Sequence, residues 1–317
     1  MSNRRNFLKS VIAGGAAVSG GSIASAKNSP AAVTPVDRRV FGRTGSEVSI
    51  LGLGLGSAFT GPYENDIDAG HALLNRALEH GINYWDTSRG YGPSEEMIGP
   101  VVEKNRDRIF LVTKSRGRDY DDFMRDVEVS LKNLRTDYLD ILHMWNLSAN
   151  EDLDRMERGA FKAVTQLKDE KVIRSYGITG HSGAKILMEA TERFDPDALL
   201  TVYPCTRDDN GRYEDELLPM ARERDMGVIA MKMVRRARNA DLRGSDLIRY
   251  ALSLNGVSGG IVGLDTLAHL NENIEMATNF RPMPQNELVE LHHTAIQGLR
   301  DIPTPWEHPN YVDGSPA

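Results

Sequence analysis

Apolar residues along this chain keep two rhythms, and the rhythms alternate. Short runs of apolar, often β-branched residues recur at 48–53, 82–86, 109–114, 138–145, 173–179, 199–203, 228–233 and 260–263. Between them lie longer stretches with apolar positions three and four apart: 66–80, 94–104, 121–134, 152–169, 183–193, 214–224, 244–254 and 266–278. The first of these carries Ala69, Leu73, Leu74, Ala77 and Leu78 at helical spacing. Pro100 is expected to bend or shorten the second, because proline removes a helical hydrogen bond. Eight strand–helix pairs, one per roughly 30 residues, predict an α/β chain folded as a (β/α)8 TIM barrel. An extra C-terminal helix, 286–299, follows the eighth pair. The tail 303–317 holds four prolines and Trp306, so it is expected to lie over the barrel rather than form a regular element.

A doubly wound sheet is the alternative for such alternation, and it wants a G-x-G-x-x-G turn after the first strand. Gly52-Leu53-Gly54-Leu55-Gly56 has different spacing, and Pro62 stands where the next helix would open. The stretch is read as a decoy.

Residues 1–26 break the pattern. They hold Arg4, Arg5 and Lys9 and no acid, then a mildly apolar segment, 11–26, ending in Ala24-Ser25-Ala26. Charged segment, apolar segment and small-x-small site together make an export signal. Arg4-Arg5-Asn6-Phe7-Leu8-Lys9 resembles the bacterial twin-arginine signal, with Asn3 where Ser or Thr is usual. That resemblance implies passage of the folded protein through the twin-arginine machinery to the periplasm or another extracytoplasmic space. Residues 27–37, polar with prolines, read as a linker, and 38–317 as the barrel.

Composition narrows the partners. The chain has 317 residues, 38 basic and 45 acidic, for a net charge of −7. Losing Arg4, Arg5 and Lys9 with the signal leaves 35 basic residues and a charge of −10. An acidic surface suits neither nucleic acid nor an anionic membrane. No apolar run reaches the roughly 20 residues that span a bilayer, so no stable membrane insertion is expected after processing. The lone Cys205 excludes an internal disulfide, a Cys-based zinc site and an iron–sulfur cage. His292 and His293 point about 100° apart on a helix and make a poor metal pair, so no metal site is expected.

Function in such a barrel sits at the C-terminal ends of the strands. Those ends carry Asp86 with Tyr91 just beyond, Lys114, His143 and Trp145, Thr179-Gly180-His181, and Lys232. Asp, Tyr and Lys form a sensible chemical set. A phenol titrates near 10, a lysine cation beside it stabilises the phenolate, and an aspartate keeps that lysine charged and oriented. The outcome is a phenol able to hand a proton to a developing alkoxide.

At this point the chain resembles a known family. Residues 82–88 (Ile-Asn-Tyr-Trp-Asp-Thr-Ser), Tyr91-Gly92-Pro93-Ser94-Glu95, Phe110-Leu111-Val112-Thr113-Lys114 and 130–140 look like aldo-keto reductases. So do Phe41-Gly42-Arg43-Thr44-Gly45 and Val262-Gly263 with Leu270-Asn271-Glu272-Asn273. The resemblance spans about 38–280. It implies a barrel that holds NADP or NAD without a Rossmann domain and moves a hydride between the cofactor and a small carbonyl or alcohol. Carried over, Tyr91 is the general acid/base, Lys114 its partner and Asp86 the partner of Lys114. Cofactor contacts are implied for Thr179, Met231, Lys232, Arg235, Gly263, Asp265, Glu272 and Asn273.

Three departures qualify this. The family's catalytic histidine lies seven positions after the tyrosine of a Tyr-x-Asp motif; counted from Tyr138, that position is Trp145. His143 faces the same way but roughly 6–7 Å deeper, two strand residues back. His181 is then the imidazole placed to reach a substrate. On the cofactor side, Gly180 stands where the family has a carboxamide ligand, and Asp265 would repel a 2′-phosphate while suiting a ribose hydroxyl. Against that, Lys232, Arg235, Arg236, Arg238 and Arg243 form a basic loop suited to phosphate. NAD or NADP stays open, and the polar loops make a sugar-like substrate plausible. The alternatives are a non-redox lyase or epimerase using Tyr91, and a cofactor-binding barrel with altered catalysis.

Overall fold

A computed structural model of the protein describes residues 33–203, 212–234, 242–299 and Trp306. Eight parallel strands close into a barrel: β3 (Leu51–Gly54), β4 (Tyr84–Asp86), β5 (Phe110–Ser115), β6 (Leu139–Met144), β7 (Ile173–Thr179), β8 (Ala198–Val202), β9 (Gly227–Met231) and β10 (Gly259–Gly263). Closure is made by β10 on β3, with Gly260 opposite Leu51 and Gly263 opposite Gly54. A hairpin of β1 (Arg38–Val40) and β2 (Glu47–Ser49) precedes the barrel. The helices are α1 (Ser57–Tyr63), α2 (Ile67–Glu79), α3 (Ser94–Asn105), α4 (Tyr120–Leu134), α5 (Leu153–Met156), α6 (Lys162–Asp169), α7 (Ala184–Phe194), α8 (Leu218–Glu223), α9 (Gly244–Ser253), α10 (Leu267–Thr278) and α11 (Gln285–Leu299). The (β/α)8 barrel and its extra C-terminal helix are therefore as the periodicity predicts. Among the described residues no helix is long and apolar enough to cross a membrane.

Strands buried on both faces explain the continuous apolar runs. Outward residues such as Leu53, Leu111, Leu142 and Ile178 pack under the helices. Inward residues, including Tyr84, Val112, Ile141, Leu200, Ile229 and Met231, fill the barrel. Phe41, from the hairpin loop, plugs its lower end and meets Tyr84 and Phe110 edge-on at 5.8 and 5.5 Å.

Several boundaries differ from expectation. The run 48–53 is two strands, because the chain kinks at Ile50 to pass from hairpin to barrel. The kink is held by Ser49, whose hydroxyl donates to the Leu51 carbonyl (2.7 Å) and whose N–H donates to Asn83 (2.7 Å). Gly52 and Gly54 face inward on β3, opposite Ile261 and Gly263. A Cβ on Gly52 would stand 3.0 Å from the Tyr84 ring and one on Gly54 3.3 Å from the Val262 backbone, so these glycines make room for close packing inside the barrel. Pro100 neither breaks nor shortens α3; the carbonyl it orphans belongs to exposed Glu96, where water can replace the lost bond. The single helix expected over 152–169 is split by a π-turn, Glu157–Phe161, where the Ala160 N–H leaves the helix to bind the Arg118 carbonyl (2.9 Å).

The linker also ends earlier than its polarity suggests. Val36 is buried, its N–H donates to the His80 carbonyl (2.9 Å), and the Ile50 N–H donates to Asp37 (2.9 Å). The segment 1–26, Cys205, Arg235, Arg236 and Arg238 lie outside the described residues. Of the tail, Trp306 is described, buried in the interior cluster with Val202 and Met231.

Candidate active site

The upper ends of β4 and β5 bring Asp86 and Lys114 together. The Lys114 ammonium donates to Asp86 Oδ1 at 2.5 Å and to the Thr87 carbonyl at 2.6 Å. Both side chains are 1% exposed. A charge pair so deeply desolvated holds only if further hydrogen bonds satisfy it, and the Thr87 carbonyl is one. Lys114 Nζ lies 4.7 Å from the centre of the Tyr91 ring.

Tyr91 sits on a stitched turn between β4 and α3. Its N–H donates to the Ser88 carbonyl (3.0 Å), its own carbonyl accepts from Ser94 N–H (3.1 Å), and the Arg89 N–H reaches the Lys114 carbonyl (3.2 Å). The Ser94 hydroxyl meets Thr87 Oγ1 (2.7 Å) and donates to the Leu55 carbonyl (2.6 Å). Glu95 is buried beneath, accepting from the Thr113 hydroxyl at 2.7 Å. Burial pushes its carboxyl above the usual range, against the pull of the Thr113 and Ser130 hydroxyls. The turn is thus tied to the two strands that carry Asp86 and Lys114.

His143 lies inside the barrel on β6, opposite Lys114 on one side and Gly177 on the other. It is fully buried, and its ring occupies the space a Cβ on Gly177 would need, 2.4 Å from Nδ1. Burial, then the Lys114 charge, push its pKa down to about 3, with the Gly177 backbone opposing. The imidazole is neutral near pH 7.

Trp145 follows β6 directly and stands beside Tyr91, ring centres 5.3 Å apart and planes at 90°. His181, after β7, is buried with its ring edge-on to Trp306 at 6.2 Å. Thr179 ends β7 and is buried, its carbonyl accepting from Leu147 N–H at 2.8 Å. Met231 is buried at the top of β9, and Lys232 beyond it has a left-handed backbone (φ 59°) with Nζ 5.3 Å from the Trp306 ring. The ammonium expected at a phosphate thus lies over an indole.

The remaining cofactor candidates gather elsewhere. Gly263, Asp265, Glu272 and Asn273 line one cleft of about 530 Å³ between β10, α10 and the start of α9. Arg243, Ser245 and His269 line it too. Asp265 Oδ1 lies 2.5 Å from His269 Nδ1, and the Thr266 hydroxyl caps α10 by accepting from the His269 N–H. A helix N-terminus with an arginine and a hydroxyl, facing a carboxylate and an amide, suits the phosphates and ribose hydroxyls of a dinucleotide. Thr179, Met231 and Lys232 stand apart from this cleft, at the barrel mouth. Sequence reading missed Trp306 as a wall of the mouth and Gly90 as the floor under Trp145, because both roles depend on contacts distant in sequence. Among the described residues no group of three or more His, Cys, Asp or Glu side chains is placed to hold a metal.

Residues 50–239 match the model of the aldo/keto reductase family. The chain is 28% identical over 307 residues to L-galactose dehydrogenase of Arabidopsis thaliana, covering 82% of this chain and 94% of that one. It is 27% identical over 248 residues to pyridoxal 4-dehydrogenase of Microbacterium luteolum, covering 61% and 69%. An aldo-keto reductase from Bacillus halodurans, solved in a holo form, superposes with a TM-score of 0.70 at 21% identity, covering 82% and 96%. With its barrel and a family model that matches residues 50–239, the chain belongs to the aldo/keto reductase family and is an oxidoreductase enzyme.

Proposed function

We propose that the protein transfers a hydride between NAD or NADP and a carbonyl or alcohol group of a small, sugar-like substrate, with Tyr91 as general acid/base. The observation that carries this reading is the buried Asp86–Lys114 pair with its ammonium 4.7 Å from the Tyr91 ring. A nicotinamide cofactor, when bound, supplies or accepts the hydride. Tyr91 Oη gives its proton to the developing alkoxide in reduction and takes one from the alcohol in oxidation. Lys114 stabilises the phenolate between these events, and Asp86 keeps the ammonium in place. His143, buried and neutral, moves no proton. Trp145 takes the position of the family histidine, and its indole N–H can only donate; His181 is the imidazole left to contact substrate at the mouth.

The adenosine end of the cofactor belongs in the cleft of Gly263, Asp265, Glu272 and Asn273. Asp265 supports the free ribose 2′-hydroxyl of NAD, and Arg243 supports the 2′-phosphate of NADP, so the two are opposed. Dehydrogenases of L-galactose and pyridoxal among the relatives support polar, hydroxylated aldehydes and their alcohols as the substrate class. Fluorescence titration of the purified protein with NADH and NADPH tests the reading. Saturable quenching of tryptophan emission by one or both is expected, and no response at high micromolar cofactor would sink it.

The same reading includes export. Arg4-Arg5 and Ala24-Ser25-Ala26 support passage through the twin-arginine machinery to the periplasm. Folded export allows the cofactor to be loaded before the protein leaves the cytoplasm.

A further inference from the structure

Trp145 is the residue of the mouth to which the proton chemistry gives no task, yet its ring is fixed from several sides. Its backbone N–H donates to the Ser115 carbonyl (2.9 Å), and its carbonyl accepts from Arg118 (3.1 Å), itself paired with Glu151 at 2.7 Å. The six-membered ring lies on Gly90. A Cβ there would stand 2.3 Å from Cζ3 and 2.6 Å from Cη2, so a larger residue at 90 displaces the indole. The Arg116 guanidinium carbon is 3.9 Å from the ring centre. Tyr91 meets the indole in the perpendicular arrangement that aromatic pairs favour. A Cβ on Gly56 would make ordinary contact with the phenol, 3.7 Å from Tyr91 Cδ2 and Cε2, so the glycine leaves that side open. The phenol is thus flanked by the Trp145 indole and the Lys114 ammonium.

We propose that Trp145 is a positioning residue for Tyr91: it acts through the phenol, keeping that ring over the Lys114 ammonium, and exchanges no proton itself. The proposal rests on Tyr91 being the acid/base of the reading above. Charge stabilisation of a phenolate weakens as the ammonium recedes. Removing the indole opens one flank of the ring and lets the phenol drift. Among the described residues, the other titratable or charged groups on the strands and turns around Tyr91 include Asp86 on β4, Glu95 beneath the turn, His143 on β6, His181 after β7, Arg89 on its own turn and Arg116 over the indole. None of them is removed by a change at Trp145.

The test is a phenolate absorbance titration of the full-length protein. The Tyr91 signal is isolated as wild type minus Tyr91→Phe, and in each variant background by the same subtraction. Wild-type Tyr91 is expected to titrate below the ordinary phenol value of about 10. In Trp145→Ala its half-titration is expected to rise by about one pH unit or more, and Trp145→Phe, which restores an aromatic edge, is expected to recover most of the shift. Where Trp145→Ala does not fold, Gly90→Ala, which pushes the indole aside, carries the test and is expected to give the same rise. An unchanged half-titration in a folded Trp145→Ala or Gly90→Ala protein would overturn the proposal. Wild-type Tyr91 titrating at or above the ordinary value would instead overturn the acid/base reading beneath it.

Discussion

The proposed proton chemistry depends on the Lys114 ammonium. It is 1% exposed, bound to Asp86 and to the Thr87 carbonyl. Lys114→Met should therefore do two separable things. Deprived of the ammonium, the buried Asp86 carboxylate should cost about 3–5 kcal/mol of stability, read as a lower urea midpoint. Turnover should fall further than the loss of folded protein explains. His143 makes a different residue-scale prediction. Its folded pKa of about 3 lies below the unfolded value near 6.5, so between these the unfolded chain binds more protons. Its contribution to stability is complete above about pH 6.5 and is lost as pH falls toward 3, by at most about 1.4 kcal/mol per pH unit. His143→Gln should flatten that acid limb in thermal melts at pH 4–7; an identical limb in both proteins would contradict the assignment. That Asp86, Tyr91 and Lys114 would come together was legible in the sequence, because each closes or follows a recognisable strand. The contact of Tyr91 with Trp145 was not, since a ring-to-ring angle depends on loop geometry. Counting seven positions from Tyr138 did single out Trp145, yet said nothing of Gly90, whose missing side chain admits the indole.

At the scale of elements, the βα alternation was legible because strands buried on both faces leave unbroken apolar runs. The exceptions have local causes. The kink at Ile50 depends on Ser49 meeting Asn83, 34 residues away. The π-turn before α6 depends on the Arg118 carbonyl. Neither partner is marked by periodicity. The Tyr138-x-Asp140 motif gains a structural meaning here. Asp140 is buried on β6 and accepts from Arg106 and Arg174 (2.8 Å each) and from the Leu111 N–H (2.8 Å). The two guanidinium groups flank the Tyr138 ring at 3.7 and 4.8 Å. The motif thus fastens β5, the strand that carries Lys114, to β6. The hairpin plug yields another expectation. Phe41→Ala removes a fully buried ring from the lower end of the barrel and should cost about 3–5 kcal/mol in denaturant melts. Cofactor affinity at the opposite end should be unchanged at temperatures where the variant is folded.

At the scale of the whole molecule, the acidic net charge of −7 coexists with local basic sites at the barrel mouth. Arg116 covers the Trp145 indole and Lys232 the Trp306 indole, so these cations pack on aromatic faces. That use of charge was illegible in the sequence, where Lys232 reads as a phosphate ligand. That Gly263, Asp265, Glu272 and Asn273 gather in one place was more legible: they are close in sequence and line one cavity. Export makes its own prediction. Replacing Arg4 and Arg5 together by lysine should leave the full-length protein in the cytoplasmic fraction, while the native signal delivers a shortened form to the periplasm; equal distribution of the two would contradict the twin-arginine reading.

The central claim, that the Tyr91 phenol carries the proton of a hydride transfer, is tested most directly by single-turnover measurement with Tyr91→Phe. L-galactose and a panel of related hydroxylated aldehydes, with NAD and NADP, provide the substrates, and the cofactor Kd is measured on the same samples. Hydride transfer by the wild-type enzyme is expected, with a loss of about 10²–10⁴-fold in Tyr91→Phe and a cofactor Kd changed little. A Tyr91→Phe enzyme that transfers hydride at the wild-type rate would contradict the claim.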